Sequence, residues 1–257
     1  MANRRKSDPW RVKAPGLPPA LVKAFPSFID PEDKIVRRRS MLAQRADAAA
    51  PPPAASVDWR TSGAVSTPRS QDPCNACTSF AIVAAVESLQ FIKAHARIQL
   101  APGFIHTCLC NHTCPQGVAV DDALDAVDNA GIAFGFAGDY PFPAAQCNVA
   151  NRFRVTGRVA LAGPNDAMQA LATTGPVVGD MFIDPPFMTH AAGAIYKFQD
   201  DDNRRLHTVA VIGYDRDQSF WLIANSFGTG WADGGFARVA FGSGGLLADR
   251  GGWQILV

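Results

Sequence analysis

The segment CTSFAIVAAVESLQFIKAH, residues 77–95, constrains the fold more than any other part of this chain. Its apolar residues recur with helical spacing and cover most of the helix surface instead of a single stripe. A helix of that kind is stable in water only when other elements cover most of it. The sequence therefore predicts a long, central and buried helix that begins at a cysteine, Cys77.

The remaining segments predict a helical part followed by a strand-rich part. Two shorter amphipathic helices are expected at residues 120–131 and 165–175, the second with Asn165 or Asp166 as its N-cap. From residue 176 onward the segments are short, rich in β-branched and aromatic residues, and separated by Gly, Asp and Asn. They are PVVGDMFI, GAIYKF, HTVAVIGYD, SFWLIANSF and GGFARVAFG. This order predicts an α+β domain of two lobes.

The N-terminal region differs from the rest of the chain in charge. Residues 1–40 contain ten Lys or Arg and four Asp or Glu, whereas residues 56–257 contain 13 and 18. The Ala/Pro-rich segment ADAAAPPPAAS, residues 46–56, lies between them and cannot form a core. We therefore predict an N-terminal segment of residues 1–55 and a domain of residues 56–257. The segment is either a solvated tail or a basic cover that docks on the acidic domain.

Composition limits the classes of function. The chain has 257 residues, 47% of them hydrophobic and 18% charged, and a net charge of +1, which is typical of a globular protein and does not indicate nucleic-acid binding. No run approaches the roughly 18 apolar residues of a membrane span. The basic N-terminus MANRRKSDPWRVK lacks the apolar core of a Sec signal peptide. We expect a monomer that binds neither nucleic acid nor membrane.

The motif SQDPCNACTSF, residues 70–80, places Cys74 and Cys77 in a C-x-x-C pair just before the central helix. Such a pair is a redox dithiol when it adjoins a βαβ unit, but the preceding segment RTSGAVSTPRSQDP is loop-like. It is half of a zinc site when further ligands are present, and HTCLCNHTC, residues 106–114, offers three cysteines and two histidines. Alternatively, Cys77 is a nucleophile, because a helix N-terminus and a nearby imidazolium favour the thiolate.

A cysteine nucleophile needs a histidine partner, a residue that orients this histidine, and a donor for the oxyanion. The chain supplies His207 at the start of HTVAVIGYD, Asn225 in WLIANSFGTGW, and Gln71 six residues before Cys77. Each of them alone has an ordinary structural explanation. Their order and spacing favour catalysis, because His207 and Asn225 follow Cys77 by 130 and 148 residues.

These blocks resemble a known family. SVDWRTSGAVSTPRSQDPCNACTSFAIVAAVESL and LHTVAVIGYDRDQSFWLIANSFGTGWADGGFARV are similar to the nucleophile, histidine and asparagine blocks of papain-like cysteine peptidases, the papain and cathepsin group. The resemblance implies a papain-like two-lobed α+β fold, with a helical left lobe, a β-barrel-like right lobe and the active site in the cleft between them. It also implies hydrolysis of peptide bonds without cofactor or metal. We expect a bacterial member with a short N-terminal segment.

The family match assigns a role to each of the four candidates. Cys77 matches the nucleophile, and His207 matches the general base and acid that forms an ion pair with it. Asn225 matches the residue whose side-chain carbonyl orients the imidazole. Gln71 matches the side-chain donor of the oxyanion hole, where the backbone N–H of Cys77 is the second donor.

Five further residues match substrate-binding positions of the family. Gly117 matches the glycine whose backbone pairs with an extended substrate, and Trp231 matches an aromatic residue on the primed side. Phe227 stands where Trp is usual and covers the His–Asn hydrogen bond, and Thr208 follows the histidine. Asp249 falls at the floor of the S2 pocket, where a carboxylate would favour a basic P2 residue. The alternative is that it faces solvent or pairs with the next residue.

The resemblance also pairs four of the six cysteines. Cys74 should bond to Cys114, and Cys108 to Cys147, which leaves Cys110 free. Disulfides need an oxidising compartment, so this pattern favours a secreted or extracytoplasmic protein that is exported by a route other than Sec. Reduced thiols in the cytoplasm are the alternative.

Other functions use the same machinery. Amidases, deamidases and transglutaminases differ from peptidases in leaving group and acceptor, and a papain-like binding module would not need the four catalytic candidates. Thr78 stands where the family has Trp directly after the nucleophile, a departure that bears on substrate preference and removes no catalytic group. The implied partners are a peptide or protein substrate and the chain's own residues 1–55, which would lie in the cleft and keep the enzyme latent.

Overall fold

The structure is a computed structural model that describes residues 54–135, 146–199 and 202–257. Residues 1–53 lie outside the described residues, and with them nearly all of the predicted N-terminal segment and linker. The first strand, β1, comprises Ser56–Asp58 and begins one residue after the predicted boundary. The division of the chain at residue 55 therefore stays a prediction.

The predicted helices are present, and the first of them is the centre of the fold. Within the described residues the α-helices are Cys77–Ala94 (α1), Val120–Ala130 (α2) and Pro164–Thr173 (α3). Helix α1 begins at the expected cysteine and packs on α2 as well as on the sheet. With 18 residues and a mean hydropathy of 1.3, this helix is just long and apolar enough to span a membrane. The sequence had been expected to contain no such segment. A core helix meets the same criteria, and 61% of α1 is buried inside the protein.

The predicted N-cap of the third helix is wrong. Gly163 is the N-cap, and neither Asn165 nor Asp166 caps the helix. Pro164 occupies the first helical position, where its fixed φ and missing N–H fit the first turn, so the helix begins one residue earlier than expected. The Asp166 carboxylate instead accepts a hydrogen bond from the Ala162 backbone N–H at 3.0 Å.

The second lobe is built on one sheet, in which eight of the described strands take part. The strand order is β4-β10-β5-β7-β8-β9-β6, and β1 also pairs with β7. The strands after β1 are Gly157–Leu161 (β4), Val177–Ile183 (β5), Ile195–Tyr196 (β6), Arg205–Asp215 (β7), Phe220–Ala224 (β8), Phe236–Ala240 (β9) and Gly252–Leu256 (β10). The remaining pair, Ile132–Ala133 (β2) and Arg152–Phe153 (β3), forms a separate ribbon.

Three strands of this sheet were not predicted, namely β1, β4 and β10. Strand β1 has three residues, and it pairs with β7, whose residues lie more than 150 positions later, from Gly213 to Asp215. Such a short segment has no periodicity of its own, so only its distant partner makes it a strand. The strand lobe is therefore assembled from both ends of the domain, and not from its second half alone.

The register of the sheet positions the site. Strands β5 and β7 are antiparallel, with His207 opposite Met181 and Thr208 opposite Asp180. Since side chains alternate between the two faces of a strand, His207 and Thr208 point to opposite faces. Helix α1 packs against β7 and β5 and shares a core cluster with Val178 and Ile255 of the sheet. The start of α1 therefore lies at the junction of the two lobes.

Candidate active site

Cys77 is the first residue of α1, and the residue as a whole is partly exposed although its thiol is enclosed by neighbouring atoms. The loop before it is fixed by the disulfide between Cys74 and Cys114 and by a hydrogen bond from the Asn75 backbone N–H to the Cys114 carbonyl at 2.8 Å. Burial raises the pKa of the Cys77 thiol. The backbone and the hydroxyl of Thr208, which lie near the thiol, act in the opposite direction. Because Thr208 follows His207 on β7, the nucleophile candidate is close to the strand that contains the histidine candidate.

The disulfides exclude two interpretations of the cysteine motif. Cys74 is bonded to Cys114, and Cys108 to Cys147, as the resemblance implied. The C-x-x-C pair is therefore not a dithiol, and the thiols needed for zinc are used elsewhere. Among the described residues, no group of three or more His, Cys, Asp or Glu could hold a metal ion. Cys110 is free, and burial raises the pKa of its thiol to about 11.

His207 and Asn225 form a hydrogen bond whose direction can be assigned. The Nε2 atom of His207 lies 2.7 Å from Oδ1 of Asn225. The Ser226 backbone N–H donates to the same Oδ1 at 2.8 Å, so this atom must be the amide oxygen. Nε2 of His207 therefore carries the proton, and Nδ1 is the basic nitrogen. Nδ1 is buried and has no hydrogen-bond partner among the described residues.

Aromatic rings enclose the imidazole. The ring centroid of His207 lies 5.1 Å from that of Phe227 and 5.8 Å from that of Phe187. Only 1% of His207 is exposed. Burial lowers its pKa to about 4, although the Asn225 hydrogen bond acts in the opposite direction. At neutral pH the imidazole is thus uncharged and able to accept a proton.

Gln71 is fully buried and held by four hydrogen bonds, one of which its backbone carbonyl accepts from the Cys74 backbone N–H at 2.8 Å. Its Nε2 donates to the Cys74 carbonyl at 2.9 Å, and its Oε1 accepts from the Ser226 hydroxyl at 2.6 Å. Its backbone N–H donates to the Ser226 carbonyl at 2.8 Å. These contacts fix which end of the amide is the donor, and they leave one N–H of Nε2 for a further acceptor. Ser226, which the sequence analysis did not single out, joins the Gln71 loop to the Asn225 segment.

The five expected substrate-binding residues have different surroundings. Trp231 is buried, and its indole N–H donates to the Phe187 carbonyl at 3.0 Å. Phe227 is also buried and lies against the His207 ring, and Thr208 is buried near the Cys77 thiol. Gly117 is partly buried, and Asp249 is exposed. Their roles toward a substrate stay predictions.

A further group was missed by the sequence analysis. The Asp180 carboxylate accepts a hydrogen bond from the Thr208 hydroxyl at 2.7 Å and is 7% exposed. The signal was present, because Asp180 is the only charged residue in the apolar segment PVVGDMFI. The sequence does not reveal the pairing register of β5 and β7, which places Asp180 opposite Thr208.

Comparisons with known proteins agree with this geometry. The family model described as papain family cysteine protease matches residues 53–247. Ananain from Ananas comosus is 31% identical over 195 residues, which are 72% of this chain and 55% of that protein. A cathepsin L-like proteinase from Phaedon cochleariae is 30% identical over 201 residues, 72% of this chain and 59% of that protein. The chain therefore spans a little over half the length of these relatives.

Solved structures show the same architecture. Digestive procathepsin L 3 of the Tenebrio molitor larval midgut superposes with a TM-score of 0.67 at 24% identity, over 97% of this chain and 77% of that one. The bromelain protease from Ananas comosus, in complex with the E64 inhibitor, gives 0.65 at 26% identity, over 79% and 99%. The papain-like two-lobed α+β fold is confirmed. These relatives come from plants and insects and give no support to a bacterial source. With the family model matching most of its length, this chain belongs to the papain family of cysteine proteases.

Proposed function

We propose that this chain is a cysteine endopeptidase that hydrolyses peptide bonds through an acyl-enzyme on Cys77. The proposal rests mainly on how His207 is held in a chain that belongs to this family. Its Nε2 is fixed by Asn225 at 2.7 Å, and its basic Nδ1 is left without a partner among the described residues. A base held in this way is suited to activate a cysteine at a helix N-terminus, and Cys77 is such a cysteine.

The reaction uses these residues in order. His207 Nδ1 accepts the proton of the Cys77 thiol, and the sulfur attacks the carbonyl carbon of the peptide bond. The developing oxyanion accepts hydrogen bonds from Gln71 Nε2 and from the Cys77 backbone N–H. His207 then returns its proton to the leaving amine, and a thioester remains. Water attacks the thioester with His207 as base, which releases the acid and restores the thiol.

Burial shapes the first proton transfer. It raises the pKa of the thiol and lowers that of the imidazole, so either charge alone is disfavoured. Transfer of the proton from Cys77 to His207 creates both charges together and leaves the net charge of the site unchanged. Burial therefore opposes a charge on either group alone more than it opposes the ion pair that the resemblance implies.

The test is the identity of the product. The full chain and its Cys77→Ala variant are incubated with a protein substrate, and new amino termini and free ammonia are measured in parallel. Cys110→Ala is the matched control, because it removes the other free thiol. We expect new termini from the native protein and from the Cys110 variant, and none from the Cys77 variant. Ammonia without new termini would assign an amidase or deamidase instead, and no product together with an unreactive Cys77 would assign a binding module.

Residues 1–55 are proposed to cover the cleft and keep the enzyme latent. Their ten basic and four acidic residues up to position 40 oppose the acidic excess of residues 56–257, 18 against 13. Deletion of residues 1–55 should raise activity on a small fluorogenic peptide at equal active-site titre. High salt should raise the activity of the full chain in the same direction, because it screens the attraction between the two parts. Equal activities at both salt concentrations would contradict this proposal.

Two further expectations are part of the proposal. Gly117, Thr208, Phe227, Trp231 and Asp249 would contribute to the substrate cleft. The protein would work in an oxidising compartment, because its two disulfides persist only there. Reaction of purified protein with a thiol reagent before and after reduction, followed by mass spectrometry, tests the second expectation through the number of free cysteines.

A further inference from the structure

Two segments beside the nucleophile candidate are joined along their length. Residues 74–78, CNACT, include the start of α1, and residues 114–118, CPQGV, precede α2. A disulfide connects their first residues. The Asn75 backbone N–H donates at 2.8 Å to the carbonyl of the disulfide-bonded cysteine opposite. The two segments therefore run side by side, with Cys77 in one and Gly117 in the other.

Two side chains of the first segment add hydrogen bonds to the second. Nδ2 of Asn75 donates to the Pro115 carbonyl at 2.7 Å. The Thr78 hydroxyl donates to the Val118 carbonyl at 2.8 Å. A carbonyl can only accept, which fixes the Asn75 amide nitrogen and the Thr78 proton as the donors. The two carbonyls lie on either side of Gly117, one of them two residues before it and the other one residue after it.

The two side-chain bonds differ in burial and therefore in strength. Thr78 and Val118 are 1% and 5% exposed, whereas Asn75 is partly exposed and Pro115 is exposed. A buried carbonyl that loses its donor costs more free energy than an exposed one, which water can satisfy. The Thr78 hydroxyl also lies 2.9 Å from that of Thr208 on β7. The Thr78 bond should thus hold the second segment more firmly than the Asn75 bond.

Both donors are departures from the family pattern. The family signature around the nucleophile, C-G-[SA]-C-[WY], has glycine at the position of Asn75 and an aromatic residue at that of Thr78. Glycine has no side-chain donor, and neither aromatic residue has the short hydroxyl of threonine. The two bonds that flank Gly117 are therefore features of this chain and not of the signature.

We propose that Asn75 and Thr78 are positioning residues that fix the backbone at Gly117 relative to Cys77, and that they thereby favour extended substrates. The inference rests on the proposed function, in which Gly117 pairs with the backbone of an extended substrate. With the carbonyls on both sides of it held, the segment has less conformational freedom to lose when a substrate binds. A substrate that ends at P1 lacks the backbone that would pair with Gly117, so it gains nothing from this arrangement.

The experiment compares two substrates on the full chain. One is a dipeptide amide with Arg at P1, and the other is an N-acylated arginine amide, which has no P2 residue. Thr78→Val should raise KM for the dipeptide about tenfold, and Asn75→Ala about two- to threefold, because the first bond is buried and the second is not. The kcat value should change less than about twofold, since the pairing is present in both the ground state and the transition state. Neither variant should change KM for the shorter substrate.

Three controls separate positioning from a general structural effect. Thr78→Ser keeps the hydroxyl and should restore the native KM. Thr173→Val removes a hydroxyl–carbonyl bond of the same length, 2.8 Å, on α3, and should leave KM for both substrates unchanged. Alkylation of Cys77 by iodoacetamide, measured in a Cys110→Ala background, should proceed at the native rate in every variant. If Thr78→Val does not fold, Asn75→Ala carries the test, because its bond is at the surface.

Amide hydrogen exchange follows the second segment without any substrate. Peptides that cover residues 110–119 should exchange about three- to tenfold faster in the variant that combines Thr78→Val with Asn75→Ala, because local opening becomes easier. Peptides from α3 should exchange at the native rate.

The outcomes separate this inference from the proposed function. An equal rise in KM for both substrates, an unchanged KM for the dipeptide, or unchanged exchange in residues 110–119 would overturn the inference even if the protein cleaves peptides. Faster exchange in the combined variant, together with no peptide cleavage by the native chain, would support the positioning of the segment and contradict the peptidase assignment.

Discussion

The two lobes hold their halves of the site by different means. All six cysteines lie between positions 74 and 147, so both disulfides belong to the helical lobe and its loops. There the Cys77 loop has little regular structure and is held by a covalent bond. The sheet lobe instead places His207 within an eleven-residue strand and Asn225 directly after another, among buried aromatic rings. The comparison indicates that the nucleophile is positioned by cross-links and the base by strand pairing and packing.

The largest expected effect comes from removing the nucleophile in one lobe or the base in the other. Cys77→Ala should lower kcat/KM for a peptide substrate by about 10⁴-fold or more, and His207→Ala should cost nearly as much. The double variant should be little worse than either single variant, because two residues that act as a unit are not additive. Asn225→Ala should cost less, since it orients the base without reacting.

Steady-state kinetics on all four variants, at equal protein concentration, provide the measurement. Cys110→Ala again serves as the control for loss of a free thiol. A Cys77→Ala variant that keeps more than about one per cent of native turnover would show that another residue is the nucleophile. Loss of the true nucleophile should reduce turnover by far more than about 100-fold.

The next effect concerns the hydrogen bond that joins the halves, between Ser226 and Gln71 at 2.6 Å. Gln71→Ala should lower kcat by about 10²- to 10³-fold with little change in KM, because it removes a donor used only in the transition state. Ser226→Ala should lower kcat by a smaller factor, about two- to tenfold, because the amide stays but is less firmly oriented. An equal loss in both variants would mean that Gln71 acts through structure and not as a donor.

The two disulfides allow a matched test of what the covalent bonds do. They close loops of almost equal length, with sequence separations of 40 and 39, so the chain-entropy contribution to stability should be nearly the same. Replacing either pair by alanines should reduce the free energy of unfolding by about 2–4 kcal/mol. Only loss of the Cys74–Cys114 bond should also lower kcat, because it holds the loop that contains Gln71 and Cys77.

Denaturant unfolding and kinetics of both double variants, at a temperature where both are folded, make this comparison. If the Cys108–Cys147 variant loses as much kcat as the other, the disulfide near the nucleophile has no special positioning role. If neither loses stability, the helical lobe is held by its apolar core and the contrast between the lobes is wrong.

The sequence predicted those parts of the site that are local or that are spaced as in the family. Cys77 at the start of an apolar helix, and the order of Gln71, His207 and Asn225, could be read from single segments. The Thr208–Asp180 contact could not, because it depends on the pairing register of two strands that are 28 residues apart. The same reason applies to Ser226 and Gln71, which are separated by 155 residues.

The smallest expected effect concerns the two carboxylates of the sheet lobe. Asp180 is buried beside Thr208, whereas Asp249 is exposed and precedes Arg250, which is buried with its guanidinium over Phe182. The resemblance places Asp249 at the floor of the S2 pocket, where it would attract a basic P2 side chain. Because an exposed ion pair contributes about 0.2–1 kcal/mol, the preference for Arg over Leu at P2 should fall only about two- to fivefold in Asp249→Ala. The measurement is kcat/KM for two dipeptide substrates that differ only at P2, with Arg at P1 in both. An unchanged ratio would show that Asp249 takes no part in specificity and is a solvated surface residue.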